Sequence, residues 1–224
     1  MVVIGLGETF PDFSAKTTIG DITFKEWLDK SWGILFSHPA DFTPVCTTEL
    51  ARLIKLIPEF TKRNTKIIAL SCDSVENHVK WTEDIRAYAS PRLSGDNLPY
   101  PIISDENRDL ALMLGMIDND EKDSDGIPLT ARAVFVVDPN MKLRLSILYP
   151  ATTGRNFDEI LRVLDSLQLC DKHKIATPAD WKQGDEVMVQ PTVPEEEMKT
   201  LFPFVTVMAM PSGKNYMRKI PQPD

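Results

Sequence analysis

The chain alternates between short apolar runs and longer stretches with helical spacing. Gly33-Ile34-Leu35-Phe36-Ser37 is a continuous apolar run, which predicts a strand buried on both faces over residues 33–38. Lys66–Ser71, Pro101–Ser104 and Ala133–Val137 read the same way, while Leu143–Leu148 alternates polar and apolar as an antiparallel strand does. Between them, helices are predicted over residues 43–63, 75–87, 107–115 and 156–168. In the first of these, Leu50, Leu53, Ile54, Ile57 and Phe60 recur on one face. Asn156 with Glu159 opens the last like a capping box, and Asp138-Pro139-Asn140 reads as a hairpin turn. Strands separated by helices predict an α/β fold, a mixed central sheet with helices on both faces.

The pattern changes near residue 169. Prolines 178, 191, 194, 203, 211, 221 and 223 break up the remainder, leaving one short helix over residues 194–202 with acids in its first turn. This divides the chain into a larger domain, 1–169, and a smaller irregular C-terminal domain, 170–224, poor enough in core residues to pack on a second subunit. Residues 1–7 read as a first strand or arm, being too short and uncharged for a signal peptide.

The chain has 224 residues, 42% of them hydrophobic, and a net charge of −8. That is enough apolar material for a real core, and the acidity argues against a nucleic-acid partner. No apolar run reaches membrane-spanning length, so no stable membrane insertion is expected. Three widely spaced cysteines, Cys46, Cys72 and Cys170, make no disulfide framework and fit a reducing compartment, most simply the cytoplasm. His38, His78 and His173 have no ligand spacing with them, so no metal is expected.

The chemistry concentrates at Cys46. Thr43 is a good N-cap and Pro44 suits the first helical position, which makes Cys46 the third residue of a helix. Backbone N–H groups there lack helical partners, and the helix dipole favours a thiolate. An arbitrary cysteine is usually a small buried hydrophobe. A flanking cap threonine, two prolines and a histidine are more than such a residue needs.

The pattern P-x-x-x-T-x-x-C, here Pro39, Thr43 and Cys46, resembles the active-site motif of the peroxiredoxins, the thiol peroxidases. Ser37-His38-Pro39, Phe42–Leu50, Thr130-Ala131-Arg132 and Tyr149–Asn156 resemble the one-cysteine, type-six group, over nearly the whole chain. The resemblance implies a thioredoxin-like fold and a homodimer. It implies reduction of hydrogen peroxide and of organic or phospholipid hydroperoxides, with no metal, haem or flavin. Cys46 would be the peroxidatic nucleophile, cycling through a sulfenic acid. Thr43 would orient the peroxide, Arg132 would place a positive charge beside the thiolate, and Pro39 would shield the pocket. Glu49, on the same helical face as Cys46, would link Arg132 to Arg155, and His38 would support the site.

Two-cysteine members resolve the sulfenic acid with a second cysteine in a V-C-P-A-x-W-like segment. The corresponding stretch here, Ile175–Trp181, carries Thr177 at that position. Recycling must then use an external thiol system, glutathione with a partner protein or thioredoxin, or ascorbate. Cys72 and Cys170 read as bystanders, with a nonstandard resolving disulfide as the alternative. A phospholipase reading fails on Asp29-Lys30-Ser31-Trp32-Gly33, which lacks the first glycine of G-x-S-x-G. The group's histidine and aspartate partners align with Lys25 and Asn140, so Ser31 is expected to hydrolyse little or no lipid. A dithiol oxidoreductase is excluded because Glu49 occupies the C-x-x-C partner position. A thioredoxin-like binding module would require an unreactive Cys46.

Overall fold

A computed structural model describes residues 4–90 and 97–224. Two compact units are present, residues 1–155 and 156–224.

The first unit is built on a seven-stranded mixed sheet. Its strands are β1 (Ser14–Thr17), β2 (Gly20–Thr23), β3 (Trp32–Ser37), β4 (Thr65–Ser71), β5 (Ile102–Ser104), β8 (Arg132–Val137) and β9 (Leu143–Tyr149), in the order β2-β1-β5-β4-β3-β8-β9. The apolar runs form the centre: β3, β4 and β5 are mutually parallel, and β8 returns antiparallel to β3. Each residue of β3 and β8 is buried, as a strand covered on both faces requires. The period of two divides the side chains. Leu35, Ile68, Leu70, Ile103, Phe135 and Val137 share one core with Phe24 and Leu28 of α1 (Phe24–Leu28) and Leu110 of α4 (Asp109–Met113). On the opposite face Phe36 meets Phe60 of α2 (Pro44–Lys62) edge-on at 6.4 Å, and α2 packs beside α3 (Val75–Ala89).

The two-sided α/β arrangement is therefore as expected. Helix 107–115 is shorter than predicted, because Arg108 (φ 63°) and Gly115 (φ 66°) take left-handed backbone at its ends. Asp138 closes the β8–β9 turn, its carboxylate accepting from the N–H groups of Asn140 and Lys142. The paired strands β1 and β2 were not anticipated, since four-residue segments carry little periodicity. Nor was the β6 (Ile117–Lys122)–β7 (Pro128–Thr130) hairpin. Of the N-terminal stretch predicted as a strand or arm, residues 1–3 lie outside the described residues. Residues 4–10 form an arm rather than a strand, with Gly7 N–H on the Leu143 carbonyl at 2.8 Å and Phe10 N–H on that of Met141 at 2.6 Å.

The second unit holds α5 (Phe157–Lys172), α6 (Glu195–Leu201) and a four-stranded antiparallel sheet. The sheet order is β10 (Ile175–Ala176), β11 (Val187–Val189), β13 (Arg218–Ile220), β12 (Thr206–Val207). Asn156 caps α5, accepting from the N–H groups of Asp158 and Glu159. The sequence division at 169/170 placed α5 in the first domain. Its C-terminal residues Leu169 and Cys170 instead pack on the small core of Ile175, Trp181, Val187 and Ile220, which groups the helix with the second unit. Thr177, where a second cysteine would lie, shares a 2.6 Å hydroxyl hydrogen bond with Ser166 of α5.

Candidate active site

The β3–α2 loop, residues 38–43, delivers Cys46 to the sheet's edge of parallel strand ends. Pro44 opens α2, and the first helical bond is Thr47 N–H to the Thr43 carbonyl at 3.0 Å. The N–H groups of Val45 and Cys46 precede that bond and lie outside the helical pattern. Thr43 is the N-cap residue, but its hydroxyl does not cap the helix. It donates to the Ala40 carbonyl at 2.9 Å, which fixes the loop and leaves the oxygen's lone pairs as acceptors. Phe42 takes left-handed backbone (φ 53°), a strain of about 1 kcal/mol for a bulky residue. Pro39 is buried in the same loop.

Cys46 is fully buried, and Nη1 of Arg132 donates to its Sγ at 3.3 Å. Arg132 is the first residue of β8, so the β3–β8 pairing brings a guanidinium from 86 residues away to the start of α2. Its Nε and Nη2 both donate to the Ala151 carbonyl, at 2.9 and 2.6 Å, which fixes the plane of the group. Nη1 also donates to Glu49 Oε2 at 2.9 Å. Glu49, one turn beyond Cys46, receives Arg155 as well: the N–H and Nε reach Oε1 at 2.7 and 3.0 Å, and Nη2 reaches Oε2 at 2.6 Å. Burial pushes the Glu49 carboxyl up, but the charge and hydrogen bonds of Arg155, with the charge of Arg132, outweigh it and hold the group below the usual carboxylate range. Two buried guanidiniums on one carboxylate leave one net positive charge beside Sγ.

His38 follows β3 as the first residue of the loop, is wholly buried, and does not bond to Sγ through its paired nitrogen. Its Nε2 lies 2.8 Å from Asp41 Oδ1, while Nδ1 has no hydrogen-bond partner among the described residues. Asp41 Oδ2 lies 2.6 Å from Nδ1 of His78 on α3, and His78 Nε2 reaches the Ile103 carbonyl at 3.1 Å. Burial lowers the His38 pKa against the opposing pull of Asp41, and the two histidines hold Asp41 below its usual range despite burial. The three side chains have the composition of a metal site. Their donors nevertheless sit at hydrogen-bond distances, shorter than the roughly 3.3 Å between two ligands on a tetrahedral ion with bonds of about 2.05 Å. Trp81, one turn beyond His78, ties the same cluster to the helix: its ring lies 5.2 Å from His38, and its Nε1 donates to Thr47 Oγ1 at 3.2 Å.

The structure therefore joins Cys46, Glu49, Arg132 and Arg155 in one bonded set, with Pro39 and Thr43 in the loop above it and His38 in an adjoining set. Sequence reasoning missed Asp41, His78 and Trp81. The signal was present in the spacing of His78, Trp81, Thr82 and Ile85, which form the buried face of α3. Ser31 is buried, and its hydroxyl faces the Asn64 amide oxygen at 3.4 Å rather than a base. A Cβ at Gly33 would meet Leu28 Cδ1 at 2.5 Å, so a larger residue there would displace that side chain. The Cys72 thiol is pushed up to about 12, chiefly by burial, with Asp105, Asp73 and Asp123 adding to it against the opposing charge of Arg108. Such a thiol is a poor nucleophile near neutral pH.

The chain matches the AhpC/TSA family over residues 6–146 and the C-terminal domain of 1-Cys peroxiredoxin over residues 166–202. It is 63% identical over 219 residues to peroxiredoxin-6 of Bos taurus and 62% identical over 219 residues to that of Homo sapiens, covering 97% of each chain in both cases. Among solved structures, a cysteine-to-serine variant of peroxiredoxin 6 of Arenicola marina superposes with a TM-score of 0.96 at 60% identity, covering 99% of both chains. A yeast mitochondrial 1-Cys peroxiredoxin, described with thiol resolution via glutathione/thioredoxin systems, gives 0.88 at 43% identity, covering 98% of this chain and 100% of that one.

Proposed function

The chain belongs to the one-cysteine peroxiredoxins and is a thiol peroxidase, and from that premise we propose that Cys46 reduces hydrogen peroxide and organic or phospholipid hydroperoxides through a sulfenic acid. The 3.3 Å contact between Arg132 and Sγ carries this reading. Sγ attacks the nearer peroxide oxygen. An S–O bond forms as the O–O bond breaks, the sulfur loses two electrons, and the departing oxygen takes up a proton as water or alcohol. The free N–H groups of Val45 and Cys46 and the Arg132 guanidinium are the donors that stabilise the separating oxygens, and Thr43 Oγ1 accepts from the peroxide hydroxyl. Pro39 excludes water from the sulfur. Glu49 and Arg155 hold Arg132 in place, with His38 supporting the loop.

Thr177 cannot resolve the sulfenic acid, and the raised Cys72 thiol is a weak candidate. An external thiol therefore condenses with Cys46, releasing water and leaving a mixed disulfide, and a second thiol frees it. The glutathione or thioredoxin system suits this step, ascorbate being the non-thiol alternative. A homodimer is favoured by apolar exposure on the edge strand β9, at Leu148, and in the second unit, where Phe204 is 77% exposed. A cytoplasmic setting suits three free thiols.

Stopped-flow mixing of the reduced protein with one equivalent of hydrogen peroxide, followed by intact mass with a sulfenic-acid trap, tests the assignment. Fast reaction with the trap on Cys46 alone, abolished in Cys46→Ser, is expected. A Cys46→Ser variant that keeps its peroxidase activity overturns it.

A further inference from the structure

The peroxidase reading uses the loop that carries Pro39, Thr43 and His38 without saying what holds it. Asp41 lies at its centre, and both its carboxylate and its N–H are engaged. Its carboxylate joins His38 and His78, and its N–H donates to Asp73 Oδ2 at 3.0 Å. Asp73 is itself fixed by the Ser71 hydroxyl at 2.7 Å. His78 is fully buried on α3, outside the peroxide-facing set, and its far nitrogen is anchored on the β5 carbonyl of Ile103. A strained residue, Phe42, follows Asp41 directly. Strained backbone of this kind persists only where its surroundings over-determine it. The buried carboxylate–imidazole contact crosses from loop to helix over 37 residues of chain and fits that requirement.

We propose that Asp41 and His78 form a positioning pair that clamps the β3–α2 loop to α3, and through it sets His38, Thr43 and the first turn of α2 in the peroxide-reactive arrangement. The proposal rests on the peroxidase reading and assigns a role to two residues that touch neither the peroxide nor Sγ. Two routes connect the pair to the reacting sulfur: His38, bonded to Asp41, and Trp81, which packs on His38 and donates to Thr47 beside Cys46.

His78→Phe keeps a ring in the cavity but removes both hydrogen bonds, and His78→Asn keeps a donor near the position of Nδ1. Stopped-flow reaction of Cys46 with hydrogen peroxide is expected to slow in His78→Phe and Asp41→Asn by roughly tenfold to a hundredfold, the scale of a displaced reacting group. His78→Asn is expected to restore most of the rate, which lost packing alone would not explain. In the wild-type chain, a low-field proton resonance from the His78 imidazole is expected at neutral pH, and Asp41→Asn should remove it. A folded His78→Phe variant that reacts at the wild-type rate overturns the proposal. If that variant does not fold, absence of the wild-type resonance overturns it. A wild-type protein that shows the resonance yet reacts no faster than an ordinary thiol leaves the clamp in place and removes the peroxidase reading instead, taking the positioning role with it.

Discussion

Two buried carboxylates flank the start of α2, each held between two basic side chains. Glu49 sits between Arg132 and Arg155, and Asp41 between His38 and His78. The geometry is alike, yet the partners differ in one property. A guanidinium keeps its proton at any pH the protein meets, whereas an imidazole gains or loses one near neutrality. The arginine set therefore provides a permanent field beside Cys46. The histidine set provides shape, and its hold on the loop depends on protons.

Removing the carboxylate from each set should expose this difference most sharply. Glu49→Gln leaves two buried guanidiniums that cannot neutralise, and a loss of about 3–5 kcal/mol is expected in urea unfolding. Asp41→Asn should cost less, because an imidazole, unlike a guanidinium, can be buried neutral. Equal losses would erase the distinction between the sets.

Acid is the next lever. The His38 pKa lies below its ordinary 6.5 in the folded chain, in surroundings shared with Asp41, His78 and Asp73. Between the two values the unfolded chain binds a proton that the folded chain refuses. Stability from His38 is thus present above about 6.5 and lost as the pH falls through the lower, folded value. Glu49, lowered from 4.5, contributes stability above that value, which is lost only at still lower pH. Protection of the β3–α2 loop amides, corrected for the acid-slowed intrinsic exchange rate, should fall below pH 6.5 before that of β8, and His38→Asn should flatten that first response. Simultaneous loosening of both regions would contradict it.

The smallest effect belongs to the scaffold. Ser74 caps α3 by accepting from Asn77 N–H, so Ser74→Ala should cost about 1 kcal/mol in thermal unfolding while the peroxide reaction keeps its rate. A large loss of rate would mean that α3 transmits more to Cys46 than its hydrogen bonds to the loop account for.

How much of this was legible in the sequence follows the same division. The central strands were plain because continuous apolar runs have few other destinations, and α2 was plain because Thr43-Pro44 marks its start. Cys46 stands out through its place at a capped helix start, whereas Arg132, Glu49 and Arg155 are named only through a family resemblance; the β3–β8 pairing gives the convergence of the four a physical cause. The Asp41–His78 contact was illegible, since a histidine on the buried face of a helix has no sequence signal naming its partner 37 residues away. The strands β1 and β2 were missed because short segments of mixed polarity do not declare a period. Thr43 looked like a capping side chain and serves as a loop latch, because its hydroxyl reaches Ala40 first.

If Cys46 is the reacting thiol of the proposed cycle, its lack of exposed surface sets the two half-reactions at odds. A peroxide is small enough to enter through a brief fluctuation of the loop, and it profits from a stiff site that is already arranged when it arrives. A reducing thiol carried on a larger molecule must bring sulfur to sulfur, and it waits for a wider opening. Tightening the loop thus speeds oxidation and starves reduction, while slackening it does the reverse. On that cycle turnover would peak at an intermediate stiffness, and the reductant best suited to it is the one whose approach fits the opening the loop allows.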